Sequence, residues 1–214
     1  MTHTMQPGVR PPDFNSLING LLTTDAPLPR RLQTASTLRT VLCAPEHAAF
    51  VQRDSSQLLN ALEQLLYDRT EPIRRQVPVL IGALAAAMRP NLHQFISWLL
   101  YTAQCATQNQ QNLTLWPLVL LMMHEVLEAL VQARDTPCVL PYLPDLVRCM
   151  QTLLEGLDEA ALTTALLPLL VSFSRAEYAQ ALLPHVSEVV DVLIGWSLEA
   201  TSTPSVAAKV ALRG

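Results

Sequence analysis

Stacked helical hairpins are the fold this sequence predicts, and three observations predict them. Leu and Ala dominate a 214-residue chain that is 50% hydrophobic and only 15% charged, with six glycines, a balance that excludes disorder and favours helix. Sixteen prolines suit many short helices that each begin or kink at a Pro, and would be awkward in one long coiled coil. Two charged corners, at Asp25 and Asp68, stand 43 residues apart, each followed by an arginine pair, Arg30/Arg31 and Arg74/Arg75. Apolar helix, Asp, short turn, Pro or aliphatic residue, Arg and apolar helix at that spacing is the period of HEAT and armadillo repeats. The expected architecture is an all-α solenoid of about five hairpins over residues 13–214, after a disordered tail over residues 1–12.

Asp13 predicts the cap of a first helix carrying Phe14, Leu17, Ile18, Leu21 and Leu22. Asp25, Pro27 and Pro29 then make a corner before a returning helix with Arg30, Arg31, Leu32, Leu38 and Val41. A short turn of helix is expected around His47 and Phe50. The central hairpin runs from Ser56 to Met88: Leu58, Leu59, Leu62, Leu65 and Leu66 share one helical face, as do Val77, Leu80, Ile81 and Leu84. Asp68, Thr70, Glu71 and Pro72 supply its corner, and Arg74 and Arg75 lie one turn inside the second helix. Asn91 with Gln94 predicts a capping box for a helix bearing Leu92, Phe95, Ile96, Leu99 and Leu100. After the polar TQNQQN loop, a long helix from Leu113 carries Leu120, Met123, Leu127 and Leu130. Thr136 and Pro137 read as cap and first residue of the next helix, with Leu140, Leu143, Leu146, Val147, Met150 and Leu154 inward. Gly156 ends it and Asp158 caps a partner through Leu162, Leu166, Leu169 and Leu170. A second capping box is expected from Ser174 to Glu177, with a break at Pro184. The last full helix holds Val186, Val189, Val190, Val192, Leu193 and Trp196, and Gly195 implies a crossing that admits no Cβ. Thr203 and Pro204 open an unfinished partner that stops at Gly214, which predicts a solenoid cut short.

The chemistry-bearing patterns are nearly all missing. A formal charge of −4 supplies no basic field, so direct nucleic-acid binding is disfavoured and the arginine pairs read as donors between repeats or solvated helix starts. Cys43, Cys105, Cys138 and Cys149 have no CxxC spacing and read as reduced, mostly buried thiols of a cytoplasmic or nuclear protein. His124-Glu125 begins like the HExxH zinc helix, yet the position of the second ligand is Glu128. His3, His47, His93, His124 and His185 share no metal-ligand spacing, and neither GxSxG nor a phosphate-binding glycine loop occurs. Asn112-Leu113-Thr114 matches a glycosylation acceptor by chance. No formal charge lies between Arg89 and Glu125, but FISWLLYTA and LTLWPLVLLMM each fall short of the roughly 20 residues that span a membrane. The reading is therefore a chain without catalytic, cofactor-binding or metal residues. Its leucines first close the core, and any left exposed mark surfaces for protein partners.

Val189 to Pro204, VVDVLIGWSLEATSTP, resembles a stretch in the N-terminal helical region of the nonsense-mediated-decay member of the phosphatidylinositol-3-kinase-related kinases, where a similar Gly-Trp run precedes a polar turn and Pro. PRRLQTASTLRTVL, from Pro29 to Leu42, is similar to the first ordered helix there, and Leu58 to Leu66 continue the match. The resemblance implies a large serine/threonine kinase that phosphorylates an RNA helicase at SQ and TQ sites during messenger-RNA surveillance. Its N-terminal solenoid is implied to receive regulatory subunits, one with a GTPase-like fold, and none of its kinase motifs falls within these residues. The alternative is a stand-alone HEAT or armadillo adaptor, a transport or phosphatase scaffold with no kinase attached.

Overall fold

A computed structural model describes residues 12–89, 91–108, 115–154, 162–187 and 190. Among the described residues there is no strand, and the expected all-α stack of hairpins is present. Its α-helices are α1 (Phe14–Leu22), α2 (Leu28–Cys43), α3 (Ala48–Arg53), α4 (Ser55–Leu66), α5 (Glu71–Arg74) and α6 (Val77–Met88). They continue with α7 (His93–Gln108), α8 (Leu115–Gln132), α9 (Leu143–Leu154), α10 (Leu167–Phe173), which a π turn at Leu162–Leu166 precedes, and α11 (Ala176–Leu182). One layer is the run α2, α6, α8, α10, each packed on the next. The other holds α1 against α4, then α7, α9 and α11 in succession, and the hairpins α1/α2, α4/α6 and α7/α8 join the layers. The sharing of apolar faces between neighbouring hairpins leaves little of α6 for water: Ala83, Ala85 and Ala87 are buried along with Val77, Leu80, Ile81 and Leu84, and only Val79 and Ala86 are half-buried.

Physical punctuation places most ends. The Asp13 carboxylate accepts the Ser16 N–H at 3.0 Å and caps α1. Pro27, Leu28 and Pro29 open α2, where the missing proline donors fall among N–H groups that have no intrahelical partner. At the second corner Asp68 accepts the Thr70 N–H at 2.8 Å, whereas the Thr70 side chain makes no cap. The returning helix is broken there, contrary to expectation: α5 is a single turn, and α6 begins only at Val77. Pro78 is the reason, since it offers no N–H to the carbonyl four residues back and its ring crowds that carbonyl. Arg74 and Arg75 therefore lie in the joint before α6 and not inside it.

Three further expectations are corrected. The capping box at Asn91 and Gln94 does not form: the Asn91 N–H bonds to the Met88 carbonyl at 3.0 Å and the Gln94 amide reaches across to Ser56 at 3.2 Å. Thr136 opens no α-helix; Thr136–Cys138 and Leu140–Tyr142 are 3₁₀ turns, because Pro141 denies the donor that a continuous helix needs, and α9 starts at Leu143. Ser174 does not cap α11, because its hydroxyl turns back to the Val171 carbonyl at 2.8 Å. Pro184 does end α11, and Leu183–His185 follow as a 3₁₀ turn. The cysteines are also less hidden than expected, Cys43 being exposed and the other three half-buried.

α8 is long and apolar enough by composition to cross a membrane, and more than half of it is buried against α6, α7, α9 and α10. Gly82 explains how α6 and α8 approach so closely: a Cβ there would meet the Glu125 carbonyl oxygen at 2.8 Å. The tail over residues 1–11, the glycosylation triplet, Gly156, Asp158, Gly195, Trp196, Thr203 and Pro204 lie outside the described residues.

Candidate functional site

Polar side chains recur at the seams between hairpins, at separations of 35 to 48 residues that match one repeat. The most enclosed of the charged ones is Arg31, on the first turn of α2 and 2% exposed. Its Nε donates to the Leu21 carbonyl at 2.8 Å, and its two terminal nitrogens fork onto the Asp68 carboxylate at 3.3 and 2.5 Å. Arg31 is thus the inter-repeat donor that the arginine pair predicts, and Arg74 steadies the same corner by donating to the Asp68 carbonyl at 2.6 Å. Burial alone would push the Asp68 carboxyl up, but Arg31 and the Thr70 N–H outweigh it and hold the group below its ordinary value. Arg75 pairs with Glu71 on the surface, one helical turn back.

A second polar seam joins α8 to α10 and lines an open groove of about 550 Å³ with His124, Glu128, Leu167, Val171 and Arg175. Ser172 is 0% exposed and its hydroxyl donates to Glu128 Oε1 at 2.7 Å. Arg175 Nε donates to the same oxygen at 2.6 Å and its Nη2 to the other oxygen, so the carboxylate is clasped from α8 to the foot of α11. Burial pushes Glu128 up; Arg175, Ser172 and the neighbouring His124 together bring it below its ordinary value, so it is ionised at neutral pH. His124 Nδ1 lies 2.8 Å from the Ser172 oxygen.

Proton accounting decides what this His, Ser and Glu arrangement can do. The only hydroxyl proton of Ser172 is spent on the carboxylate, so the His124 bond forms with the imidazole Nδ1–H donating. A nucleophile needs the reverse, with the imidazole accepting the hydroxyl proton, and it needs access to substrate. The polarity and burial here make a clamp and do not activate Ser172. Tyr178 reinforces it by donating to the Leu127 carbonyl at 2.8 Å.

Among the described residues no group of three His, Cys, Asp or Glu side chains is arranged to hold a metal ion, and Glu128, standing where HExxH requires histidine, is occupied by Arg175. Burial pushes the Cys138 thiol up to about 11, with Asp135 adding to it, and the Cys149 thiol up to about 12. Both are inert at neutral pH. Ser172 and Arg175 escape a reading of the sequence because their partner lies in the preceding repeat; the one available signal is their separation from Glu128 by 44 and 47 residues.

No protein-family model matches the chain, and no solved structure does. The chain is similar to serine/threonine-protein kinase SMG1 of Danio rerio, with 21% identity over 184 residues. That match takes in 85% of this chain and 5% of the kinase, so the chain spans a small part of SMG1's length. The similarity is distant and is to a partial region of that kinase.

Proposed function

We propose that this chain is a non-catalytic, protein-binding scaffold, a segment of the N-terminal HEAT-type solenoid arm of a kinase that phosphorylates an RNA helicase in nonsense-mediated mRNA decay. The observation that carries the reading is the likeness to SMG1, which extends over 85% of the chain and so follows the helical stack through most of its hairpins. A stack of this kind offers long faces and seams for other proteins, and its best-formed polar cluster clamps α8 to α10 with the serine proton turned away from the imidazole. Its partners on this reading are the regulatory subunits of the kinase complex, one with a GTPase-like fold, and further repeats of the same arm. It acts in the cytoplasm or nucleus and touches neither nucleic acid nor membrane directly.

The test is immunoprecipitation of the native product with an antibody raised against this chain. The expected precipitate transfers phosphate to an SQ-containing peptide and contains the GTPase-fold subunit, while the isolated chain transfers none. A native product of 23.6 kDa with neither property would overturn the reading in favour of a stand-alone adaptor.

A further inference from the structure

The seam between the second and third hairpins carries a surface cluster that neither clamp uses. Tyr67, at the end of α4, is 52% exposed, and Tyr101, on α7, is 59% exposed. Large aromatic rings at such exposure are uncommon in a chain that buries Phe14, Phe95 and Tyr178 almost completely. Half-buried Trp98 lies one turn before Tyr101 on α7, and half-buried Glu63 one turn before Tyr67 on α4. The indole Nε1–H of Trp98 donates to Glu63 Oε2 at 3.4 Å and ties the two helices together. Both phenols sense the same neighbours. The Tyr67 phenol is pushed up by burial, then by Cys105 and Glu63; the Tyr101 phenol is pushed up first by the neighbouring Cys105 side chain, then by Glu63 and Tyr67.

Charge is the incomplete part of this cluster. Among the described residues the Glu63 carboxylate takes part in no ion pair, unlike Asp68 and Glu128, and a weak indole bond is its one hydrogen bond. A carboxylate bonded to a tryptophan indole, with an exposed tyrosine one turn along each of the two helices, attracts a cation with a flat, weakly hydrated head that can also lie on aromatic rings. Two exposed tyrosines beside a half-buried tryptophan supply what protein hot spots are made of. We propose that Glu63, Tyr67, Trp98 and Tyr101 form a docking site for a partner-protein segment that presents an arginine flanked by apolar residues, the guanidinium meeting Glu63 and the rings. This rests on the protein-binding reading above and names the chemistry of one partner.

The chain has three tryptophans, Trp98, Trp116 and Trp196, so their indole N–H signals in a proton–nitrogen NMR spectrum form a small, assignable set. The probe is a pentapeptide with arginine between two leucines, and the control is the same peptide with citrulline, which keeps the shape and removes the charge. Arginine peptide is expected to move the Trp98 signal while leaving that of Trp116, buried and bonded to the Ala106 carbonyl at 3.0 Å, in place. Glu63→Gln, which keeps an acceptor for the indole, and the pair Tyr67→Ala with Tyr101→Ala should each weaken the response at least ~10-fold. The exposed tyrosine positions, and a glutamine that keeps the indole acceptor at half-buried position 63, should leave the melting temperature unchanged, which separates lost binding from lost fold. Equal shifts with citrulline peptide, no shift at all, or retention of the shift in the tyrosine variant would overturn the proposal. So would dimerisation of the chain that the tyrosine substitutions abolish, which would assign the patch to a second copy. The two readings fail separately: a GTPase-fold subunit that still co-precipitates with the tyrosine variant, beside a silent Trp98, sinks the arginine site and leaves the scaffold standing. A Trp98 response in a chain that captures no subunit does the reverse.

Discussion

Replacing Gly82 by alanine is the sharpest probe of the packing, because the usual expectation and the structure disagree in sign. In the middle of a helix Gly→Ala ordinarily gains about 1 kcal/mol, from the lower entropy of the unfolded chain. At Gly82 the new Cβ would sit 2.8 Å from the Glu125 carbonyl oxygen and 3.0 Å from both the carbonyl carbon and Cβ of Glu125. That is about 0.6 Å inside ordinary van der Waals contact, and against backbone, which cannot swing aside as a side chain does. Relief requires α8 to shift bodily from α6, loosening the apolar contact of Val77, Ile81 and Leu84 with its neighbours. Overpacking costs about 1–3 kcal/mol, and a backbone clash belongs at the upper end; after the helix gain the net loss is ~2 kcal/mol.

For a chain of this size that lowers the melting temperature by about 4–8 °C, read by far-ultraviolet circular dichroism. Gly20→Ala is the matched control, since its Cβ would meet only the Thr34 side chain, with Cγ2 at 3.3 Å and Oγ1 at 3.6 Å. There the melting temperature should stay level or rise by up to ~4 °C. A Gly82→Ala protein as stable as its parent, or stabilised like Gly20→Ala, would refute the close approach of α6 and α8.

Arg31→Met strips the partner from a carboxylate that is itself nearly buried, so about 3–5 kcal/mol and roughly 6–20 °C of melting temperature should be lost. Adding Asp68→Leu should restore most of it, and a single variant within ~1 °C of the parent would show the pair to be idle. Asp68 and Glu128 are both held below their ordinary values, so their stabilisation is complete above the unfolded carboxylate range near pH 4 and is lost as pH falls through their folded values. Thermal melts should therefore be flat from about pH 7 to 5 and fall below about pH 4. In Arg31→Met the burial of Asp68 pushes it the other way, so the deficit against the parent should narrow in acid; a deficit independent of pH would contradict the charge argument. Toward a disulfide reagent at neutral pH, exposed Cys43 should react first, while Cys138 and Cys149, pushed up to about 11 and about 12, react only after unfolding. Mass spectrometry of time points gives the order directly.

The hairpins were legible wherever one face of a helix is apolar. All five leucines predicted to point inward from α4, Leu58 to Leu66, are buried, because a helix lying between core and water prints its period in the sequence. α6 prints only one of its buried faces, Val77, Leu80, Ile81 and Leu84: surrounded by α2, α3, α4 and α8, it reads as the unbroken run VPVLIGALAAAM, in which Gly82 looks like one small residue among several. Arg31 was legible as a donor between repeats because the pair pattern repeats with the corner. The capping boxes failed for a different reason. Asn91 and Ser174 have the right residue types at the right spacing, yet the preceding helices end so near that the Asn91 N–H and the Ser174 hydroxyl each bond backward first. The Glu128, Ser172 and Arg175 clamp was not legible at all, since the register between neighbouring hairpins is settled by packing and not by local pattern.

Leucine surfaces alone leave that register poorly determined, because an apolar ridge shifted by one turn buries nearly the same area. Directional groups are what distinguish one register from the next. The first seam has the buried fork of Arg31 on Asp68, and the third has Glu128 held by Ser172 and Arg175. The middle seam has no buried ion pair among the described residues: Arg89 donates to the Ala133 carbonyl at 3.0 Å and reaches Asp135 at 3.9 Å with both side chains about a third exposed, and Gln94, Ser56, Trp98 and Glu63 supply longer bonds. Its definition comes from these hydrogen bonds together with shape, at the place where Gly82 lets α8 meet α6 backbone to backbone. The middle seam is thus set by shape and by hydrogen bonds near its surface, where the other two have a shorter ion pair. The proposed arginine site draws Glu63 and Tyr67 from one side of it and Trp98 and Tyr101 from the other. A partner arginine bound there would pair with Glu63 on one side of the middle seam and lie against rings drawn from both sides of it.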